Sequence, residues 1–179
     1  MRELRGDVNL EDIETRMDLK VDAYLPQEYI SNDLLRVEMY KKIASIRNRE
    51  SRDDLIDELI DRFGDPNRPV MNLIETAHLK ALCGRLGIDY VTMRGDELML
   101  RFSMAADIDL MKVLAAVKAF PQVFRVKPIN PPELYFYERG KDTEALLRDC
   151  VKVMEQVVAA FEAAGRDEGE QGTGKRKQE

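Results

Sequence analysis

The sequence has no tryptophan, one histidine and two cysteines, and aromatic residues make up only 7% of it. Cys83 and Cys150 lie far apart in apolar helical patterns. They lack the short paired spacing of zinc ligands, so we predict buried free thiols and no metal site. No stretch approaches the roughly 20 apolar residues that span a bilayer, and the first residues lack the apolar core of a secretory signal. These absences predict a cytoplasmic protein that does not contact membrane.

The charge balance is acidic, with a net charge of -6 and a pI near 5.1. Binding to nucleic acid relies on Lys and Arg that displace phosphate counterions, so this balance disfavours an electrostatically driven DNA-binding protein. An acidic domain is better suited to a basic protein surface. The 179 residues, 44% of them hydrophobic, are enough to build the core of one soluble domain.

The first half of the chain is predicted to be helical. Residues 1–17 are polar and are interpreted as a linker, while the alternation from Leu19 to Leu25 indicates a half-buried strand that ends at Pro26. Apolar spacing of three and four residues then predicts three helices. These run from a cap at Ser31 or Asn32 to about Asn48, from a Ser51 cap to Gly64, and from Val70 to Leu86 before Gly87.

The second half is predicted to contain a sheet. The pattern indicates a hairpin of residues 88–94 and 97–102, a helix from Asp107 to Phe120, two strands at 123–126 and 134–137, and a long helix to about Ala164 that Asp142 or Thr143 caps. Residues 165–179 are rich in Gly, Glu and Lys and are predicted to be a disordered tail. The expected fold is α+β: a helical part at 18–87, one strand plus three helices, packed with a ββαββα part at 88–164.

The search for catalytic chemistry finds no candidate. His78 lies among apolar residues of a predicted helix and is interpreted as structural, since no second histidine or cysteine pair accompanies it. The segment Gly84 to Gly87 is a helix end and not a phosphate loop, so the chain alone is not expected to hydrolyse nucleotide. We therefore predict no catalytic, cofactor-binding or metal-binding residue.

The second predicted helix carries a cluster of acidic residues that could have a function. A continuous helix spreads its carboxylates, which favours a solvated face over a cation site. A docking face is the sharper hypothesis: Glu58 and Asp61 are three residues apart, hence adjacent, and are displaced from the apolar face, so they can receive Arg or Lys from a partner. The cluster comprises Asp53, Asp54, Asp57, Glu58 and Asp61.

Several ordered motifs between Leu19 and Val158 resemble the C-terminal domain of the bacterial transcription-repair coupling factors, the Mfd family. The most specific is Glu58-Leu59-Ile60-Asp61-Arg62-Phe63-Gly64. It is accompanied by Ala23-Tyr24-Leu25-Pro26, Tyr29-Ile30, the helix Arg36 to Ala44, Pro69-Val70, Asn72-Leu73, Leu79-Lys80 and Leu86-Gly87-Ile88. The later strands match in pattern only.

The resemblance implies a fragment of a larger protein. In that family the parent displaces RNA polymerase stalled at DNA lesions with an ATP-driven DNA translocase, whose motor domains bind ATP and Mg²⁺, and recruits the excision-repair protein UvrA. The C-terminal domain docks on an N-terminal module that resembles UvrB and masks the UvrA-binding surface. The resemblance assigns docking to the positions of Glu58 and Asp61, and it makes residues 1–17 the linker from the translocase motor.

A second interpretation remains open, in which the domain contacts DNA or RNA polymerase directly. Lys41, Lys42, Arg47 and Arg49 fall on the first predicted helix or just beyond it, and clustered cations could meet phosphate. The two interpretations differ in the salt dependence of DNA binding that they predict.

Overall fold

A computed structural model describes residues 13–106 and 108–172, with side chains described as far as residue 165. Helices and strands combine in an α+β arrangement, which confirms the predicted fold class. The elements are β1 (Arg16–Asp18), α1 (Asp33–Ala44), α2 (Arg49–Phe63), α3 (Arg68–Arg85), β2 (Ile88–Arg94), β3 (Glu97–Phe102), α4 (Leu110–Val117), β4 (Phe124–Lys127), β5 (Glu133–Phe136) and α5 (Thr143–Gly172).

The strands form one sheet in the order β1-β2-β3-β5-β4, in which β1 runs parallel to β2 and the other pairs are antiparallel. Val91 lies opposite Leu100, and Leu100 lies opposite Leu134. These residues face a core that α3, α4 and α5 cover. Gly95, at φ 66°, makes the predicted hairpin turn between β2 and β3.

A second core lies inside the helical half. Met39 and Ile43 of α1, Leu55 and Leu59 of α2 and Ile74 of α3 are buried against one another. α3 contributes to both cores, because its first turns pack on α1 and α2 while Leu79, Leu82, Cys83 and Leu86 pack against the sheet. The two halves are thus joined through a single long helix.

The start of α2 differs from the prediction. Asn48 is the N-cap, and Ser51 is the third helical residue of a capping box in which Asn48 accepts from the Ser51 N–H. The preceding helix ends at Ala44 rather than near Asn48, and Ile46 is buried in the connection. The apolar spacing continues through Ile46 beyond the end of the helix. Ile46 is apolar because it is buried, and burial does not require a helical backbone.

The predicted strand at 19–25 is wrong. These residues alternate in burial but bend at Val21 and Tyr24, and they belong to no strand of the described sheet. The strand of this region is β1, which begins at Arg16 within the segment interpreted as a linker. Side chains satisfy the unpaired backbone: Asn72 donates to the Asp22 carbonyl at 3.0 Å, and the Leu25 N–H donates to the Tyr40 hydroxyl at 2.9 Å. Alternation reports which side faces the core, not whether the backbone has a strand partner.

The end of the last helix also corrects the prediction. α5 continues past Ala164 to Gly172, so residues 165–172 are helical and not a disordered tail. A helix already packed on the sheet extends with one backbone hydrogen bond per added residue, and this outweighs the penalty of about 1 kcal/mol for Gly165. Residues 173–179, the predicted linker residues 1–12 and Asp107 lie outside the described residues.

Buried polar groups collect where α2, α3 and α5 meet. Arg52 of α2 donates through Nε to the Glu75 carboxylate of α3 at 3.1 Å, and the Glu75 side chain is only 5% exposed. His78, one turn further along α3, is fully buried, and neither of its ring nitrogens has a hydrogen-bond partner among the described groups. Its Nε2 lies 3.6 Å from Glu155 of α5. The burial of this histidine agrees with its position among apolar residues of the predicted helix.

His78 should make the stability of the domain depend on pH. Burial first, and the Arg52 charge second, lower the pKa of His78 to about 4 from its ordinary value of 6.5. Between pH 6.5 and 4 the unfolded chain therefore takes up a proton that the folded chain does not. The contribution of neutral His78 to the unfolding free energy is fully present above pH 6.5. It is lost below that pH by up to ~1.4 kcal/mol per pH unit. The charged groups around it are Arg49, Arg52, Asp53, Glu75, Arg85 and Glu155.

A His78→Leu variant should lose this pH dependence. Leucine fills a similar volume without unpaired nitrogens, so the variant should equal or exceed wild-type stability at pH 5. Burial also raises the pKa of Glu155, which opposes the trend, but that contribution is common to both proteins. Urea unfolding at pH 7, 6 and 5 measures the difference. If the unfolding free energies of wild type and variant change equally between pH 7 and pH 5, His78 is not the cause of the pH dependence.

Candidate docking surface on the helical half

Four charged side chains form a ring across the outer junction of α1 and α2. Lys42 donates to both Glu58 oxygens at 2.6 and 2.9 Å, and Arg62 donates to Glu58 at 2.6 Å and to Glu38 at 3.5 Å. Lys42 also lies 3.5 Å from Glu38. Because positive and negative groups alternate around it, the ring joins the two helices without a charge left over. We call it the ion ring.

Glu58 is thus already paired inside the domain. Its side chain is 30% exposed, and the hydrogen bond from Lys42, reinforced by that from Arg62, lowers the pKa of its carboxyl. The prediction treated Glu58 and Asp61 as two free carboxylates that await a partner. In the structure Glu58 holds Arg62 in place through a hydrogen bond. Its partly exposed carboxylate can still accept further hydrogen bonds at the surface.

Asp61 is exposed, as predicted, and belongs to a stripe of exposed carboxylates on the outer face of α2. None of them forms an ion pair with any residue of the described chain. Like charges one turn apart on a helix are mildly destabilising. These carboxylates give the surface its net negative charge, because the ion ring beside them is neutral. The stripe consists of Glu50, Asp54, Asp57 and Asp61.

Apolar side chains also lie outward on this half, which the sequence analysis did not predict. Leu34 is 82% exposed and Val37 is 52% exposed, both on the face of α1 opposite Met39 and Ile43. Ile60 of α2 is 43% exposed, although the apolar spacing of that helix predicts an inward position for it. The available signal was α1 itself, which carries apolar residues on both of its faces.

The basic residues behind the alternative interpretation do not form one cluster. Arg47 follows α1 in the connection, where its guanidinium donates to the carbonyls of Ala44 and Ile46. Arg49 begins α2 and pairs with Asp53 at 3.6 Å, and Lys42 belongs to the ion ring. Lys41 remains on the outer face of α1. The cations are spread over α1, the connection and α2, and two of them, Lys42 and Arg49, are paired with carboxylates.

The part of the chain that the structure describes contains a wide cleft. It has a volume of about 1080 Å³ and lies between the α1–α2 connection, α3, α5 and the segment before β1. The charges at its rim pair with each other: Lys80 with Glu14 at 3.0 Å, and Arg85 with Glu162 at 2.8 Å. Within residues 13–106 and 108–172, no group of three or more His, Cys, Asp or Glu is placed to hold a metal ion. Cys83 and Cys150 are buried free thiols, as predicted.

Over the part of the chain that the structure describes, no helix is both long and apolar enough to cross a bilayer.

Comparison with known proteins places this fold. A crystal structure of the C-terminal domain of transcription-repair coupling factor superposes with a TM-score of 0.71 at 25% sequence identity, over 84% of this chain and 97% of that one. The class of molecule is thus a C-terminal domain of the transcription-repair coupling kind. The family model for the TRCF domain matches residues 19–113, and the chain belongs to this family.

Full-length relatives show how small a part the chain represents. The transcription-repair-coupling factor of Staphylococcus haemolyticus is 37% identical over 93 residues, which are 52% of this chain and 8% of that protein. The Bacillus subtilis protein of the same name is 32% identical over 116 residues, 63% of this chain and 10% of that protein. The chain therefore spans about a tenth of the relatives' length. The match includes both α1 and α2, which carry the ion ring.

Proposed function

We propose that this chain is a regulatory, non-catalytic domain of a transcription-repair coupling factor. It docks through α1 and α2 on the UvrB-like N-terminal module of the parent protein and masks the surface that UvrA binds. The parent acts in transcription-coupled excision repair as an ATP-dependent DNA translocase, with ATP and Mg²⁺ in its motor domains and with RNA polymerase and DNA as its partners. The C-terminal domain itself takes part in binding only.

One observation carries the proposal: Asp61 stands exposed and unpaired among the described residues, immediately beside the ion ring that fixes Arg62 and Glu58. A carboxylate on a rigid helix, with its neighbours held in place, needs little ordering when a partner Arg or Lys arrives. Exposed ion pairs contribute little singly, whereas a charge pair desolvated at an interface has a large effect. Asp61 is therefore the primary docking carboxylate, and Glu58 supports it.

The test measures binding of the chain to the separately expressed UvrB-like module of the parent. Asp61→Lys should weaken binding by at least ~100-fold, because like charges that face each other at an interface cost several kcal/mol. The matched control is Asp96→Lys in the exposed β2–β3 turn, which changes the net charge equally and should leave affinity unchanged. Circular dichroism confirms that both variants are folded.

Equal binding by Asp61→Lys and wild type would contradict the assignment of this face. Equal weakening by the Asp96 variant would show that only net charge matters. Glu58→Lys is a poorer probe, because it places a third cation against Lys42 and Arg62 and disturbs the junction of the two helices.

A further inference from the structure

The cleft of about 1080 Å³ lies beside the point where the described chain begins. Ile13, the first described residue, is one of its lining residues. Ala77 and Ala81 line it from α3, Ile46 lines it from the α1–α2 connection, and Phe161 lines it from α5. Apolar side chains of both halves thus surround a space wide enough to receive further side chains.

The chain before β1 runs along α3 toward this cleft. The Thr15 hydroxyl donates to the first carbonyl of β2 at 2.7 Å, just past the end of α3. The Ile13 carbonyl lies over Gly84 of α3, since a Cβ on that glycine would lie 3.4 Å from it. Lys80, one turn earlier on α3, donates to Glu14 at 3.0 Å. Followed backward from Thr15, the chain therefore runs alongside α3 toward the beginning of that helix.

The dimensions of α3 indicate how far the preceding residues reach. Three extended residues span about 10 Å at roughly 3.3 Å each, and seven helical residues span about the same length at roughly 1.5 Å each. Ile13 lies over Gly84. Leu10, three residues earlier in the chain, therefore reaches the level of Ala77, seven residues earlier on α3. Since Ala77 lines the cleft, an apolar side chain arrives at an apolar wall.

The charge at the rim of the cleft matches the same segment. Arg47 lines the cleft, and its guanidinium donates to two backbone carbonyls. The other rim cations, Lys80 and Arg85, have carboxylate partners, whereas Arg47 has none among the described residues. Glu11 and Asp12 directly precede the described chain. A segment that enters the cleft from this end therefore brings carboxylates to the cation that lacks one.

We propose that residues 8–12 of the chain dock in the cleft. Leu10 packs against Ala77 and Ile46, and the adjacent carboxylates of Glu11 and Asp12 lie beside Arg47. The docked segment ties α3 to the α1–α2 connection and covers the junction between the helical half and the sheet, where burial of the leucine is the main gain. It uses neither the ion ring nor the acidic stripe, so the proposal does not depend on the docking function proposed above.

The other end of the chain fits the cleft poorly. Residues 173–179 begin beyond Gly172, ten residues after Glu162, which is the last residue of α5 to line the cleft. Ten helical residues span about 15 Å at roughly 1.5 Å each. This end also carries three adjacent cations, Lys175 to Lys177, which the charge of Arg47 repels. Neither objection applies to residues 8–12.

Disulfide formation between introduced cysteines tests the position of Leu10. In the 179-residue chain, Leu10→Cys with Ala77→Cys is compared with Leu10→Cys with Ala115→Cys, where Ala115 is exposed on α4 and outside the cleft. With oxidised glutathione, the first pair should form an intramolecular disulfide at least ~10-fold faster, because docking raises the local concentration of one thiol near the other. Cys83 and Cys150 do not compete, because both are buried and burial raises the pKa of each thiol.

A charge reversal tests the contact with Arg47. Adding Arg47→Glu to the Leu10 and Ala77 cysteine pair should slow disulfide formation at least ~5-fold, because like charge then faces Glu11 and Asp12. The matched control is Arg139→Glu, an exposed position outside the cleft that changes the net charge equally and should leave the rate unchanged. Circular dichroism shows whether each variant is folded.

Each outcome supports or overturns a stated part of the proposal. Equal rates for the Ala77 and Ala115 pairs would overturn it, because Leu10 would then have no preferred place in the cleft. Fast disulfide formation that Arg47→Glu and Arg139→Glu affect equally would keep Leu10 in the cleft and refute the charge contact. A disulfide that joins two chains, seen as a covalent dimer on a non-reducing gel, would show that the segment enters a second copy and would also overturn the proposal.

Discussion

Replacing Arg52 by methionine is expected to lower the unfolding free energy of the domain by about 3 kcal/mol. Arg52 is the cation that pairs with Glu75 beneath the surface between α2 and α3, and the Glu75 side chain is 5% exposed. Methionine keeps most of the packing volume and removes the charge, which leaves a buried carboxylate without its partner. Removing one member of a buried pair has a far larger effect than the pair's net contribution to stability.

The second variant of the cycle identifies the cause. Adding Glu75→Leu to Arg52→Met removes the orphaned carboxylate, and the double variant should recover to within about 1 kcal/mol of wild type. Arg49→Met is the control, since Arg49 is 74% exposed and pairs with Asp53 only at 3.6 Å. It should change stability by less than about 0.5 kcal/mol. Urea unfolding at pH 7 measures all four proteins, and a double variant as unstable as the single one would contradict this account.

The same pair has a bearing on docking. α2 carries Asp61 on its outer face and Arg52 on the face toward α3, so the buried pair helps to fix the helix that presents the proposed docking carboxylate. The docking assays should use only variants that leave this pair intact.

Local pattern predicted the helices and the hairpin well. Apolar residues recur every three or four positions through α2 and α3, and Gly87 and Gly95, both at φ 66°, end α3 and turn the hairpin where glycine was expected to do so. At Gly87 a side chain would also collide with Ile108, since a Cβ there would lie 1.8 Å from its Cδ1. These features depend on residues that are neighbours along the chain, so the sequence alone is enough to predict them.

Features that depend on distant partners were not predicted. β1 is three residues long, and its pairing of Met17 with Val91 joins positions 74 residues apart. Glu58 has one partner, Arg62, a single turn away on α2, but its other partner, Lys42, lies 16 residues away on another helix and was not predicted. The outward position of Leu34 could have been suspected, because α1 carries more apolar residues than one core-facing stripe needs.

In the full-length parent protein, Asp61→Lys is expected to raise affinity for UvrA at least ~10-fold. Under the proposed function, the intact protein partitions between a closed form, with this domain on the UvrB-like module, and an open form that UvrA can bind. Removing a contact made only in the closed form shifts the population to the open one. The gain cannot exceed the closed-to-open ratio of the wild type, because affinity saturates once the open form predominates.

UvrA binding by the full-length protein is therefore the most direct test of the masking claim. The comparison is of wild type, Asp61→Lys and the Asp96→Lys control, with circular dichroism to show that all three are folded. The account predicts tighter UvrA binding by the Asp61 variant alone. A folded Asp61 variant that binds UvrA no better than wild type would contradict it.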